Sequence, residues 1–225
     1  MTTRRLMICL ANSRKPGGLC VAGIDYDLRR MGVWVRPVTP DGSGAVRAEQ
    51  SRYADGIDLG VLDVVSVPVT GPSAHNFQTE NWQINPSEPW VFRNRVSWKH
   101  LSYLESPEEP LWPTEAESSG SGSHDRVYLT EASGYGYTLR FIRVEDLRII
   151  VQANGHVRAA FFYLDDYYDL SVTDPVIEAD YRARGQGSHT VAEAYLTLSL
   201  GEPLAGYCYK LVAAVIDRER AEGGS

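Results

Sequence analysis

The sequence contains few cysteines, and they form no pattern. Cys9, Cys20 and Cys208 are three of 225 residues, and no CxxC pair occurs. We therefore expect no disulfide framework and predict that each cysteine is a small buried apolar residue. This usage is typical of a protein in a reducing cytoplasm.

Long apolar runs are also missing. Residues 211–216 form one of the longest, far below the ~20 apolar residues that a membrane-spanning helix needs. The apolar run at residues 6–11 is too short for a signal peptide. With 43% hydrophobic and 23% charged residues, the composition predicts a soluble, cytoplasmic globular protein that makes no contact with membranes.

Catalytic and metal-binding motifs are absent from the sequence. GxSxG, GxGxxG, HExxH and GxxxxGK[ST] do not occur, and the five histidines are scattered without metal-ligand spacing. Cys9 lies within an apolar stretch, where burial keeps a thiol unreactive. We therefore predict no catalytic residue, no metal and no cofactor.

Charge is distributed unevenly along the chain. The net charge is −7, but residues 1–52 contain nine basic and four acidic side chains, which leaves −12 for residues 53–225. Only three of the 22 basic residues are lysine, and the arginines can bind phosphate in a bidentate manner and stack on bases. The basic front predicts a local anion-binding face, whereas the acidic remainder argues against wrapping of duplex nucleic acid.

Hydrophobic periodicity predicts β-strands in two groups. In the first group, short connections indicate antiparallel neighbours, and Gly23 within a strand indicates a bulge or a close backbone approach. In the second group, Asn154-Gly155 predicts a hairpin. Thr173 or Asp174 can cap a helix over residues 175–183. The clearest predicted strands are residues 5–11, 19–26, 33–38, 59–69, 137–144, 147–152, 157–164, 167–172, 195–200 and 207–216.

These elements predict an all-β protein with one or two short helices, arranged as two tandem OB-like small β-barrels. The lack of strand–helix alternation excludes doubly wound folds, whereas sandwiches and SH3-like barrels remain alternatives. Residues 105–124 are rich in Pro, Glu, Ser and Gly and mark the domain boundary. The predicted organisation is a first barrel at 1–104, a flexible linker or loop at 105–124, a second barrel at 125–218 and a disordered tail at 219–225.

Four stretches of the sequence resemble a known family. Residues 7–27, 34–38, 168–175 and 198–216 are similar to the dual OB domain proteins of bacteria. The resemblance covers both ends of the chain and implies two tandem OB folds. It also implies a link with prokaryotic conflict or defence systems.

The first candidate site is the polar stretch of residues 12–18, predicted as a loop. Asn12, Ser13, Arg14 and Lys15 place an amide, a hydroxyl and two cations beside glycine backbone, a combination that can surround one phosphate. The alternative is a solvated turn in which Asn12 bonds its own backbone.

Aromatic and basic residues on strands are the second set of candidates. Trp34 and Arg36 share a strand face by the period of two, which predicts a base-stacking residue beside a phosphate-binding one. Tyr207 is a second candidate for stacking, and Lys210 a further phosphate-binding cation. The alternative for these residues, and for the cluster Tyr163, Tyr167 and Tyr168, is packing in the barrels.

Three functions follow from these candidates. We favour a non-enzymatic module that binds single-stranded nucleic acid or a nucleotide. The first alternative is an adaptor for a neighbouring effector protein. The second is a small nucleotide-processing enzyme that uses Arg14 and Lys15 with a carboxylate such as Asp25 or Glu202. Convergence of Arg14, Lys15, Arg36 and Lys210 on one concavity would favour ligand binding.

Overall fold

A computed structural model of the chain describes residues 2–27 and 32–223. The chain divides into two compact units, Met1–Leu104 and Glu105–Ser225. Each unit is built around one β-sheet that closes on itself. The prediction of an all-β protein with two small barrels is therefore confirmed.

The first unit is a five-stranded barrel with one added strand. Its strands follow the order β1-β2-β3-β5-β4, and β4 returns to pair with β1, while β6 extends the sheet beyond β4. The β3–β5 pair is parallel, and the other pairs are antiparallel. Its elements are β1 (Thr3–Lys15), β2 (Gly18–Asp25), β3 (Trp34–Val38), α1 (Ala48–Ser51), β4 (Asp63–Pro72), β5 (Asn81–Ile84), β6 (Val91–Arg95) and a 3-10 helix (Trp98–Leu104).

The second unit repeats this topology. Its strands run β8-β9-β10-β12-β11, β11 closes onto β8, and β7 pairs with the outer edge of β12. The β10–β12 pair is parallel, as is its counterpart in the first unit. This is the Greek-key arrangement of an OB-type barrel, and it excludes the sandwich and SH3-like alternatives. The elements are β7 (Arg126–Tyr128), α2 (Leu129–Ala132), β8 (Leu139–Val151), β9 (Val157–Tyr163), β10 (Asp166–Val172), α3 (Pro175–Arg184), β11 (Gly187–Leu204), β12 (Tyr207–Asp217) and α4 (Arg218–Glu222).

Gly23 lets two strands of the first barrel approach closely. It faces Cys9 across the β1–β2 pair, next to a register shift between Cys9 and Ala11. A Cβ atom at Gly23 would lie 2.1 Å from the carbonyl oxygen of Ile8. The predicted close approach is therefore confirmed.

Two local signals in the second unit have the predicted outcome. The Asn154-Gly155 turn joins β8 to β9, and Gly155 has a φ of 80°. Asp174 precedes α3, and its carboxylate accepts hydrogen bonds from the backbone N–H groups of Val176 and Ile177. Both signals act through short-range backbone chemistry, which explains why they are visible in the sequence.

Residues 105–124 form a packed loop of the second unit. The segment contains no helix or strand, and an isolated bridge pairs Ser123 with Asp169 of β10. Leu111 and Trp112 are buried, and the Trp112 indole donates to the carbonyl of Tyr137 at 3.0 Å. Of the predicted linker or loop, the structure therefore shows a loop, which apolar burial holds to the barrel.

The predicted disorder at residues 219–225 is wrong for the part that forms α4. The Asp217 side chain accepts from the backbone N–H of Arg220 at the start of this helix. The Arg220 guanidinium is bonded to Asp174, and Ala221 is buried. Gly224 and Ser225 lie outside the described residues.

Candidate functional site

The polar stretch after the first buried strand is mostly strand and only briefly a turn. β1 continues to Lys15 and β2 begins at Gly18, so the predicted loop is reduced to Pro16-Gly17. Pairing of Lys15 with Gly18 closes the hairpin. The sequence did not reveal this because polar residues also occupy strands wherever a partner strand satisfies their backbone groups.

Two of the four candidate side chains on this hairpin form hydrogen bonds within the barrel. Asn12 donates through Nδ2 to the carbonyl of Leu59 at 2.8 Å. Ser13 is 3% exposed, and its hydroxyl donates to the carbonyl of Cys20 at 3.3 Å. Asn12 and Ser13 therefore form hydrogen bonds within the barrel, and Arg14 and Lys15 stay the predicted phosphate-binding residues of the hairpin.

Arg14 and Lys15 lie at the tip of the hairpin, beside the loop that follows β3. Arg14 is exposed and Lys15 is half-buried. Leu19 and Val46 exchange backbone hydrogen bonds of 2.7 and 2.8 Å, which tie the loop to the hairpin. The Lys15 side chain passes close to this loop, since a Cβ atom added at Gly44 would lie only 2.8 Å from Lys15 Nζ.

The same loop carries one further cation and one carboxylate. Arg47 is exposed and pairs with Asp41 at 3.5 Å. Hydrogen bonds from Thr39 and Ser43 are the main reason that the pKa of Asp41 falls to about 2. The end of the first barrel thus groups Arg14, Lys15 and Arg47 near a single permanently ionised acid on this loop.

The predicted pairing of Trp34 with Arg36 does not produce an exposed stacking site. Arg36 is 2% exposed, and its guanidinium is bonded to Glu80 at 2.8 Å. Trp34 is half-buried and faces Ile24, whereas Arg14 faces Leu19. Leu19 and Ile24 are five positions apart on β2, which corresponds to about 16 Å of extended strand.

Most cations of the basic front are paired with acids of their own unit. The pairing includes acids that come later in the sequence, so the local excess of positive charge is largely neutralised. The first unit has 12 basic and 9 acidic residues, and the second has 10 and 20. Arg29 and Arg30 lie outside the described residues. Ion pairs of the front include Arg4–Glu88, Arg5–Asp25, Arg36–Glu80, Arg47–Asp41 and Arg52–Asp58.

Tyr207 packs within the second unit. Its ring stacks on Tyr128 with centroids 5.4 Å apart, and the Arg126 guanidinium lies 4.0 Å from its centroid. The alternative of barrel packing therefore describes this residue better than a free stacking surface does.

Lys210 also belongs to the second unit, whereas Arg14, Lys15 and Arg36 belong to the first. It is 3% exposed, and Nζ donates to the carbonyl of Leu111 at 2.8 Å. Burial lowers the pKa of Lys210 to about 8, against the opposing effect of Asp166 and other carboxylates. The side chain borders a cavity of about 210 Å³ and a second one of about 310 Å³. A buried amine with a perturbed pKa beside a cavity is the strongest site signal of this unit.

The two carboxylates considered for the nucleotide-processing alternative belong to different units. Asp25 is fully buried and binds Arg5 in the first unit, while Glu202 borders the cavity of about 310 Å³ beside Lys210 in the second. Within residues 2–27 and 32–223, no group of three or more His, Cys, Asp or Glu side chains is arranged to hold a metal ion. Among the helices of this part of the chain, none has the length and apolar character needed to cross a membrane.

Comparison with family models accounts for the topology of both units. Residues 5–215 match the model described as the dual OB-containing domain. The chain belongs to this family. A search of curated proteins finds no match. The dual OB fold makes the chain a binding module in the general sense, because OB barrels present a ligand face on their second and third strands and on two adjoining loops.

In this dual OB domain, the second barrel exposes an aromatic pair on its equivalent face. Phe162 of β9 is 65% exposed and lies opposite Tyr167 of β10, with ring centroids 5.3 Å apart. Leu164 in the connecting turn is 44% exposed. Sequence reasoning considered Tyr167 but missed Phe162. The alternation of β9 could have identified it, because its neighbour Phe161 points into the core.

Proposed function

We propose that the dual OB domain is a non-enzymatic module that binds single-stranded nucleic acid or a nucleotide, with phosphate at Arg14 and Lys15. The position of these two cations supports the proposal. They lie at the tip of the hairpin between the first two strands, and OB barrels hold oligonucleotides from this loop. They also belong to the unit that has more basic than acidic residues.

The charge distribution favours a short ligand over a long one. Two or three cations at one end of a barrel can neutralise only as many phosphates. The second unit has an excess of ten acidic residues, which would repel a polyanion passing over it. The ligand is therefore a nucleotide or a few nucleotides of single strand.

The cellular setting is part of the same proposal. The three cysteines are free thiols, which supports a reducing cytoplasm. We place the module there, within the prokaryotic conflict or defence systems that the family resemblance implies.

Removing the hairpin cations tests this function. Arg14→Ala and Lys15→Ala should each weaken binding of a labelled oligothymidylate or of ATP about three- to tenfold. For the oligonucleotide, each variant should reduce the slope of log K against log salt by about 0.7, because one phosphate contact is lost. Fluorescence anisotropy at several salt concentrations measures both quantities. The free energy of unfolding should change by no more than about 0.5 kcal/mol.

Arg93→Ala is the matched control. Arg93 is exposed on β6 of the same unit, so the variant removes the same charge away from the hairpin. Binding that falls equally in Arg14→Ala and Arg93→Ala would reflect only general electrostatics and would refute the site. Unfolding of the hairpin variants would show that these residues are architectural.

The adaptor function rests on a different observation. Phe162, Leu164 and Tyr167 form a partly exposed apolar patch beside the exposed carboxylates of Asp165 and Asp166. An apolar surface flanked by acids favours a protein partner with basic residues around an apolar anchor.

Co-purification with the product of a neighbouring gene tests the adaptor function. The complex should survive nuclease treatment and high salt, because apolar burial is not screened by ions. Phe162→Ser should abolish it, while Arg14→Ala should retain it. A complex that is retained by Phe162→Ser would contradict a role for this patch.

A further inference from the structure

A buried lysine at one end of the second barrel is only partly satisfied by the protein. Lys210 follows the inward alternation of β12, between the buried residues Cys208 and Val212. Lysine is almost never fully buried unless it is paired, and its ammonium group carries three donors. In the described part of the chain, the carbonyl of Leu111 is the one hydrogen-bond acceptor of Nζ. Two N–H donors are therefore left for the contents of the adjacent cavity.

The cavity beside this ammonium group is lined by rings and prolines together with polar side chains. Its volume is about 210 Å³, and the Tyr168 ring centroid lies 5.5 Å from Lys210 Nζ. The indole N–H of Trp112 is already bonded to Tyr137, so this residue contributes its ring and no free donor. Rings and prolines favour a flat organic body beside the cation. The lining residues other than Lys210 are Pro110, Leu111, Trp112, Pro113, Thr114, His124, Asp166 and Tyr168.

We propose that this cavity binds a small monocarboxylate with a flat apolar body, whose carboxylate accepts hydrogen bonds from Lys210. The site lies in the second unit and uses none of the hairpin residues, so it is independent of the nucleic-acid proposal. A carboxylate supplies the two acceptors that Lys210 Nζ lacks, while the flat body of the ligand replaces water beside the Tyr168 and Trp112 rings.

The charge around the cavity selects one negative charge rather than two. Asp166 is exposed and contributes to the lining, so its carboxylate opposes a phosphate dianion. His124 Nδ1 lies 2.9 Å from the carbonyl oxygen of Tyr167 and donates to it. Nδ1 of His124 is therefore engaged within the protein. Asp166 repels a monoanion less strongly than a dianion, so a monoanion suits the single ammonium group better.

The proposed site should lose affinity in alkaline solution. Because burial lowers the pKa of Lys210 to about 8, the ammonium group is present below that pH and is lost above it. The carboxylates of Asp166, Asp125 and Glu131 act against this shift. Burial raises the pKa of Tyr168, which stays neutral. Loss of the Lys210 charge should therefore set the pH dependence of binding.

Titration of the full chain with three simple anions tests the site. Benzoate should saturate at pH 7 with a Kd of about 1 mM, acetate should bind more weakly, and inorganic phosphate should not bind. NMR shifts or calorimetry measure the three affinities. At pH 9.5 the benzoate affinity should fall about tenfold or more, since each pH unit above the pKa removes a factor of ten of the charged form.

Variants then assign the effect to named groups. Lys210→Met should weaken benzoate binding at least tenfold, whereas Lys99→Met, the same change at an exposed lysine, should leave it unaltered. Asp166→Asn should allow inorganic phosphate to bind in the cavity, because the opposing carboxylate charge is removed. Benzoate binding that does not saturate, or that survives Lys210→Met, would overturn the proposal. Phosphate binding to the unmodified chain would overturn its selectivity.

The unmodified chain provides a test that does not depend on the folding of any variant. Its lysines are Lys15, Lys99 and Lys210, so acetylation by acetic anhydride can be followed at each by mass spectrometry. Benzoate should slow acetylation of Lys210 at least threefold and leave Lys99 unchanged. Equal rates with and without benzoate would mean that the cavity holds only water, whatever the outcome at the hairpin.

Discussion

Asp174→Ala should destabilise the second barrel by about 3–5 kcal/mol, the largest effect that we expect from a single substitution. Asp174 is 1% exposed, and its carboxylate connects three parts of the unit. It accepts from Val176 and Ile177 at the start of α3, and from the backbone N–H of Val215 in β12 at 3.2 Å. It also binds the Arg220 guanidinium of α4. Alanine would leave this cation without its carboxylate and three backbone donors without an acceptor.

Asp180→Ala is the matched control for this substitution. Asp180 lies on the same helix, is exposed and forms an ion pair with Arg184 one turn away, so its loss should cost about 0.5 kcal/mol or less. Urea unfolding measures both values. Arg220→Ala should be destabilising too, and the double variant should lose less than the sum of the two single losses because the residues share one network. Equal stability of Asp174→Ala and Asp180→Ala would refute this account.

Gly23→Ala should destabilise the first barrel by about 3 kcal/mol or more. The added Cβ would lie 2.1 Å from the carbonyl oxygen of Ile8 and 3.2 Å from the Cα of Cys9. Both contacts are with backbone atoms of the paired strand, so no side chain can move aside to relieve them. Relief requires separation of β1 from β2, which carry part of the buried core of the barrel.

Gly71→Ala tests whether the effect belongs to this close approach. Gly71 lies in β4 of the same barrel, and a Cβ there would meet nothing within 4 Å. Its stability should change by about 0.5 kcal/mol or less, or should rise slightly, because alanine restricts the unfolded chain. Thermal unfolding of the two variants gives the comparison. A Gly23→Ala protein as stable as Gly71→Ala would show that the strands can separate at little cost.

The features that the sequence revealed are those with local causes. The Asn154-Gly155 turn follows from the positive φ that glycine accepts, and the Asp174 cap follows from backbone donors two and three residues away. Apolar alternation located most strands. The hairpin tip was placed inside a longer loop, because a polar strand such as Asn12–Arg14 of β1 carries no apolar period.

The candidate site was predicted only in part, because the partners of a charge are seldom its neighbours in sequence. Arg36 was chosen as a phosphate-binding residue, yet Glu80, 44 positions later, neutralises it in the fold. Lys210 was chosen for its charge alone, whereas in the fold its ammonium group donates to the carbonyl of Leu111, 99 positions earlier. Phe162 was overlooked, although strand alternation marks it as outward-facing.

The sequence by itself determined the two-barrel β architecture and the family, because hydrophobic period, turn chemistry and characteristic segments are written along the chain. Only the tertiary structure decided the surroundings of each cation. Arg5 and Arg36 form ion pairs inside the first unit, and closure of the second barrel buries Lys210 beside a cavity. Barrel closure joins strands that are distant in sequence, so the environment of each charge is a property of the folded chain.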